Sequence, residues 1–421
     1  MKRILFVDDE PRVLEGLQRL LRPQRHQWEM VFVPSGEAAL AALAERPFDV
    51  IVSDMRMPGM DGATLLRTVQ ARYPEMVRII LSGYSELESS LRTLPVAHQF
   101  LSKPCEPQVL REVIERACAL QALLGDAALR AAVAQLGELP ARPQAYTALL
   151  RALEDPEVAM EDVARLVEQD LAISAKCLQL VNSAFFGLPR RVGTVQQAVR
   201  LLGLDMLKTL VCTAALFQTF APRSGGPVAG LEGLQAHSLV AARLAARLLP
   251  DPARADEAFM AALLHDVGKL ILATRSAAVA RREGPAGAGA PPPGGWLAAA
   301  TYAAEAGLPL VEAERAYLGV THAEVGAYLL GLWGLPQPVL EAVAFHHRPE
   351  QVSSRAFDVL GAVHVADALA SQALGASVSA CGELDERYLD ALGLRARWPE
   401  WRALAAEVAA AHAQEGEQLW R

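Results

Sequence analysis

ILFVDDE, residues 4–10, decides how the first part of this chain folds. Four apolar residues run into two adjacent aspartates, and three similar runs follow: VIVS (50–53), RIIL (78–81) and QFLS (99–102). These runs lead to Asp54, Ser82 and Lys103. The intervening stretches read as helices, with Val13, Leu14, Leu17, Leu20 and Leu21 recurring at helical spacing. Strands alternating with helices predict a doubly wound α/β domain around a parallel sheet, and such sheets bind ligands beyond the carboxyl ends of their strands. Asp8, Asp9, Asp54, Ser82 and Lys103 are therefore expected on one rim.

The residue types suit phosphoryl transfer to a carboxylate, which depends mostly on positioning and charge neutralisation. Asp8, Asp9 and Asp54 can offer oxygens to magnesium, with Asp54 as the acceptor. Lys103 can offset the new negative charge and the Ser82 hydroxyl can donate to a phosphoryl oxygen. Taken singly, acidic residues after strands are often helix caps, and Lys-Pro is often only a turn. The complete set in this order favours function.

FVDDE (6–10), VSDMRMPGMDG (52–62), LSGY (81–84) and FLSKP (100–104) together resemble a response-regulator receiver domain over residues 1–122. The resemblance implies phosphorylation of Asp54 by a sensor histidine kinase. It implies Mg2+ held by Asp8, Asp9, Asp54 and the backbone carbonyl of Arg56, and a cis bond between Lys103 and Pro104. Phe100 matches the family's aromatic switch position; its alternative role is simply core.

A length of 421 residues suggests two or three domains, and a hydrophobic fraction of 52% supplies a sizeable core. No uncharged apolar run reaches membrane-spanning length, and MKRILFVDDE is too short an apolar start for a secretory signal. Cysteines 105, 118, 177, 212 and 381 are scattered without zinc or disulfide spacing, which fits a reduced cytoplasm. A net charge of −8 and the lack of a convincing helix-turn-helix argue against direct DNA binding.

The receiver is expected to end in a helix over 109–124, followed by a helical linker (123–136) with a second helix over 127–136. The remainder reads as all-α: an output domain over 137–395 and a C-terminal helix over 396–421. Two Gly/Pro-rich stretches interrupt it, around 222–233 and at EGPAGAGAPPPGG (283–295). VEQDLAISAKCLQLVNSAFFGLPRRVGTVQQAVRLLGLDMLKTLV (167–211), LLHDVGKLIL (263–272) and THAEVGAYLLGLWGLPQPVLEAVAFHH (321–347) resemble the HDOD module, a relative of HD-domain phosphohydrolases. Asn182, Ser183 and Gly187 read as capping and close packing at a tight turn.

Six histidines fall between 237 and 364: His237, His265, His322, His346, His347 and His364. His265, Asp266 and Lys269 interrupt an apolar helix, where charge is costly unless paired or bound to metal. Imidazole and carboxylate together suit iron, manganese or zinc. The HD resemblance implies metal ligation by His237, His265, Asp266 and Asp367. A further likeness to HD-GYP phosphodiesterases adds His322, His346 and His347 as a second metal site and Lys269 as a phosphate contact.

Three departures limit the transfer of activity. RPEQVSSRAF follows His347 without a Gly-Tyr-Pro loop; Gly233 stands where some relatives carry a third-metal glutamate; and HDOD modules are commonly regarded as non-catalytic. Local alternatives also exist: Thr321 and Glu324 form a capping-box pattern around His322, and His364 and Asp367, three apart, could bond each other. The expected protein is a cytoplasmic response regulator whose HDOD output contacts an unknown downstream signalling protein, with a homodimer expected on phosphorylation. The competing reading is a receiver-regulated, metal-dependent phosphohydrolase acting on cyclic di-GMP.

Overall fold

The computed structural model describes residues 1–83, 96–103, 105–123, 149, 152–153, 158–182, 192–212, 229–279, 295–352, 356–375 and 384–419. The expected cis bond at Pro104, the helix over 127–136, Ser183, Gly187 and the insertion from 283 to 294 lie outside them.

The first unit is a parallel sheet of five strands: β1 (Lys2–Val7), β2 (Trp28–Val33), β3 (Val50–Asp54), β4 (Val77–Gly83) and β5 (Gln99–Lys103). Their order is β2-β1-β3-β4-β5. Helices α1 (Pro11–Leu20), α2 (Gly36–Glu45), α3 (Gly62–Arg72) and α4 (Pro107–Leu123) accompany it. Ser35 and Asp61 cap α2 and α3, accepting from Ala38 N (3.2 Å) and Thr64 N (2.7 Å). β3 is buried along its whole length, as a central parallel strand covered on both faces must be. The apolar runs account for four strands; the fifth, WEMVFV, is a half-buried edge that no motif marks. Register sets Asp54 beside Leu81 and Lys103 beside Gly83, so Asp54, Ser82 and Lys103 finish at one end of the sheet.

The rest is helical: α5 (Met160–Glu168), α6 (Leu171–Asn182), α7 (Val195–Cys212), α8 (Ala229–Leu248), α9 (Pro252–Leu264), α10 (Val267–Val279), α11 (Gly295–Ala306), α12 (Leu310–Leu318), α13 (His322–Leu332), α14 (Gln337–Phe345), α15 (Val359–Ala373), α16 (Glu386–Ala391) and α17 (Trp398–Leu419). α8, α9 and α15 pack on one another and form the centre. Asn182 ties the end of α6 to Val192 by accepting from its N (2.8 Å) and donating to its O (3.0 Å).

One expected break is helical in part. The stretch 222–233 is helical from Ala229, so Gly230 and Gly233 lie inside α8. Each glycine costs about 1 kcal/mol against alanine in a helix. Burial of Leu239, Val240, Leu244 and Leu248 along the same helix outweighs that cost.

Candidate metal centre and phosphoacceptor site

At the carboxyl end of the sheet, Asp8 and Asp54 are buried and share one cation. Lys103 Nζ lies 2.7 Å from Asp8 Oδ2 and also pairs with Asp54 Oδ1. Backbone amides take the other oxygens: Glu10 N donates to Asp8 Oδ1 (3.0 Å) and Arg56 N to Asp54 Oδ2 (3.1 Å). Burial pushes the Asp54 carboxyl above its ordinary pKa, with Lys103 pulling the other way. Burial disfavours the Lys103 ammonium, yet its bonds to Asp54 and Asp8 hold its pKa above the usual lysine value. The backbone here is tight, since a Cβ on Gly62 would stand 2.2 Å from Asp54 O. Asp9 is half-buried, Arg56 exposed, Ser82 fully buried and Phe100 buried in the core. Asp8 and Asp54, with half-buried Asp9 next to Asp8 in sequence, offer only oxygen donors, which suits a hard cation such as Mg2+.

The second site is enclosed by helices. His237 comes from α8, His265 and Asp266 from the turn between α9 and α10, and His322 from the first position of α13. His346 and His347 follow α14, and Asp367 lies on α15. Their donor atoms fall into three linked groups, His237–His265–Asp367, His265–Asp266–His346 and His322–His346–His347, with atoms within 4.8 Å in each. His237 Nε2 is 3.0 Å from Asp367 Oδ1 and 3.3 Å from His265 Nε2. His347 Nε2 is 3.0 Å from His322 Nε2. Asp266 turns Oδ2 toward His265 (3.4 Å) and Oδ1 toward His322 (3.3 Å).

The outer ring nitrogens explain why these rings point inward. A carbonyl or ionised carboxylate only accepts, so the histidine nitrogen facing it must carry hydrogen. His265 Nδ1 donates to Ala262 O (2.6 Å), His346 Nδ1 to Val343 O (2.8 Å) and His322 Nδ1 to Glu314 Oε2 (2.7 Å). In the neutral tautomer each ring then aims an Nε2 lone pair at the cluster. Such outer bonds orient metal-bound histidines. Two atoms are left over: His346 Nε2 and Asp266 Oδ1 are buried without a hydrogen-bond partner. Buried orphans of this kind are costly, and a cation satisfies both.

Charge tells the same story. Burial opposes charge on Asp266, but His265, Lys269, His322 and His237 hold its carboxyl well below the ordinary range. Burial likewise opposes charge on Asp367, and His237 and His265 beside it hold it low. Burial pushes His346 down to about 3, and burial with His346 beside it depresses His347. Burial also works against His265, yet Asp266 and Asp367 raise it. The cluster thus collects two carboxylates and five imidazoles, with His346 and His347 held neutral, around Lys269, whose Nζ lies 2.7 Å from Asp266 Oδ2.

All seven expected ligands meet. His364 does not join them or bond Asp367: its Nδ1 donates to His346 O (2.7 Å) and its Nε2 accepts from Asp385 N (2.9 Å). The capping box at Thr321 and Glu324 is present, and it coexists with the inward placement of His322. Glu314 on α12 escaped the sequence reading. It is fully buried and also accepts from His322 N (2.9 Å) and Trp296 Nε1 (2.7 Å). No sequence signal marks it, eight residues before His322 in LVEAERAYL. A cavity of about 350 Å³, lined by Arg315, Tyr328, Leu340, Phe345, His347 and Arg348 among others, reaches the cluster at His347.

Comparisons agree with this division. The response regulator receiver domain model matches residues 4–115, and the HDOD domain model matches 139–283 and 293–349. The unmatched residues between the two HDOD segments fall within the Gly/Pro insertion. The hydrogenase transcriptional regulatory protein HoxA of Cupriavidus necator is 37% identical over 125 residues, which cover 29% of this chain and 25% of that protein. Response regulator protein FleR of Pseudomonas aeruginosa is 31% identical over 188 residues, covering 43% and 39% respectively. The chain thus spans well under half of these relatives. The crystal structure of the signal receiver domain of an HD domain-containing protein from Pseudomonas fluorescens is 32% identical, covering 29% of this chain and 98% of that one, with a TM-score of 0.28. Receiver sheet and helical histidine cluster therefore belong to a response regulator in which a receiver domain is fused to an HDOD domain.

Proposed function

We propose that this response regulator takes a phosphoryl group from a sensor histidine kinase onto Asp54, with Mg2+ held by Asp8, Asp9, Asp54 and the Arg56 carbonyl. Lys103 and Ser82 then engage the phosphoryl oxygens, and Phe100 follows the rearrangement. The output is an HDOD domain carrying a divalent transition metal, iron, manganese or zinc, that acts by binding a downstream signalling protein in the cytoplasm. No described helix is long and apolar enough to cross a membrane.

The observation that carries the metal reading is the buried, partnerless pair His346 Nε2 and Asp266 Oδ1. His237, His265, Asp266 and Asp367 would hold one cation, and His322, His346 and His347 with the second Asp266 oxygen another. Nitrogen-rich donor sets of this kind favour transition metals over Mg2+. The test is metal analysis of full-length protein beside His265→Ala/Asp266→Ala. Retained metal in the double variant contradicts the assignment.

A metal-dependent phosphohydrolase is the second reading. It is favoured by Asp266, whose two oxygens face opposite ends of the cluster, and by the cavity at His347. Bound metals would supply an activated water and polarise a phosphoryl oxygen. Lys269, the candidate phosphate contact, is turned onto Asp266. Past His347 the chain makes a short 3-10 turn, Pro349–Gln351, in a stretch with no Gly-Tyr-Pro to orient a dinucleotide. Loss of positioning alone removes orders of magnitude in rate. Little or no turnover of cyclic di-GMP is therefore expected from metal-loaded, phosphorylated protein; robust hydrolysis abolished by His265→Ala would put this reading first.

A further inference from the structure

We propose that α13 is the link through which the receiver sets the metal centre, with Gln99 and Arg116 as its receiver-side positioning residues. The inference rests on the metal reading above and concerns the regulation of that site.

α13 is the element that touches both. Its first residue, His322, lies in the cluster, and its carboxyl end is held by the receiver. Gln99 Nε2 on β5 donates to Leu332 O (2.6 Å), and Arg116 Nη1 on α4 donates to Gly334 O (3.3 Å). Gln99 is buried, so this is a closed contact rather than a surface one. Gly334 ends α13 with φ of +79°, and a Cβ there would stand 2.8 Å from Gln99 Nε2 and 3.0 Å from Arg116 Nη1. The turn is thus shaped to the two receiver side chains.

The helix is also confined. A Cβ on Gly268 would lie 1.9 Å from His322 O, and one on Gly326 would lie 3.4 Å from Gly268 N. Glu314 fixes the amino end by accepting from both His322 N and Nδ1. Backbone packed this closely ties α13 to α10, and Glu314 ties it to α12, so a displacement at one end is passed on rather than absorbed. Eleven residues span ~16 Å, so one continuous helix connects Leu332 to His322. Helix shifts of ~1–2 Å are ordinary in switching proteins. A shift of that size changes the 3.3 Å approach of His322 Nε2 to Asp266 Oδ1 and its 3.0 Å approach to His347 Nε2.

β5 brings the signal to Gln99. Lys103, which bridges Asp8 and Asp54, and Gln99 lie on the same face of this strand, four residues and ~13 Å apart. A phosphoryl group on Asp54 gives Lys103 a new partner and shifts β5 along its length. Linkage makes the coupling reciprocal: metal at His322 must alter the receiver's preference for its activated state by the same factor.

The test titrates Co2+ into the full-length protein in saturating Mg2+, with and without beryllofluoride, reading the visible bands of imidazole-bound cobalt. Beryllofluoride is expected to change Co2+ affinity of the wild type by about 5- to 150-fold, the usual range of allosteric coupling. Gln99→Met and Arg116→Ala should bind Co2+ like the wild type without beryllofluoride and respond less than about twofold to it. A purely structural role for Gln99 would move the basal affinity or stability and leave the beryllofluoride ratio intact. An undiminished ratio in both variants, or no ratio in a wild type that shows the bands, overturns the coupling alone. Absence of the bands in every protein overturns the metal reading and this proposal together.

Discussion

The two sites of this chain hold similar groups in opposite states of completion. At the receiver rim two carboxylates converge, and Lys103 with the Glu10 and Arg56 amides gives each carboxylate oxygen a partner. In the helical cluster, two carboxylates and five imidazoles converge with Lys269 as the fixed cation, and His346 Nε2 and Asp266 Oδ1 have no hydrogen-bond partner. The rim lies at the carboxyl end of the sheet; the cluster is enclosed by helices and reached by a cavity at His347. A site matched at rest is suited to be switched by a covalent change. One that leaves buried donor atoms without a hydrogen-bond partner is suited to hold a cation permanently.

That contrast fixes how each should fail. Asp54→Asn removes the acceptor, so labelling by a small phosphodonor with Mg2+ should vanish, while metal in the helical part stays. Equal labelling of wild type and variant, read by intact mass, would break the receiver half. Lys103→Ala should still label, but without any change in the output. His265→Ala/Asp266→Ala should empty the cluster, while Asp54 still takes the label. Chelation should lower the melting temperature of the wild type and not that of the double variant, since a ligand bound only by the folded state stabilises it.

Glu314→Gln sharpens the comparison further. The amide can still accept from His322 Nδ1 but lacks the charge that raises imidazole basicity. Metal affinity should fall about 10- to 100-fold, the usual cost of losing such an outer carboxylate, with the fold intact. Competition against a chelator measures it, and an unchanged affinity would detach Glu314 from the site.

The smallest expected effect concerns a histidine outside both sites. His98 is buried, with Nδ1 accepting from Arg78 N (3.1 Å) and Nε2 3.0 Å from Arg78 Nη2. Burial first, and Arg78 beside it, hold it well below the ordinary 6.5, so the folded state keeps it neutral. Its contribution is present above pH 6.5 and is lost as pH falls, because the unfolded chain binds a proton that the folded one refuses. Below pH 6, His98→Gln should flatten the stability–pH slope by about 1.4 kcal/mol per pH unit. Urea denaturation at several pH values gives the slope, and parallel curves for the two proteins would remove His98 from it.

Much of this was legible because chemistry and periodicity coincide. Asp8, Asp54 and Lys103 close apolar runs, and a parallel sheet has one place to put them. His265, Asp266 and Lys269 stand out because charge interrupts an apolar helix. Other features carry no such mark. β2 is half-buried and ends in no reactive residue. Gly230 and Gly233 look like breakers, and their place inside α8 is decided by core contacts far away in sequence. Glu314 reads as an ordinary helix glutamate in LVEAERAYL, and its burial depends on Trp296 and His322 arriving from neighbouring segments. His364 bears the right residue type at the right spacing, yet it braces the His346 carbonyl instead of bonding Asp367.

The central claim is that the helical cluster is a metal centre. Elemental analysis of the purified full-length protein, with X-ray absorption at the edge of whatever metal is found, tests it most directly. The account predicts a transition metal in a nitrogen- and oxygen-rich shell that disappears in His265→Ala/Asp266→Ala. A metal-free protein that takes up no added manganese, iron or zinc, and whose melting temperature ignores chelators, would contradict it.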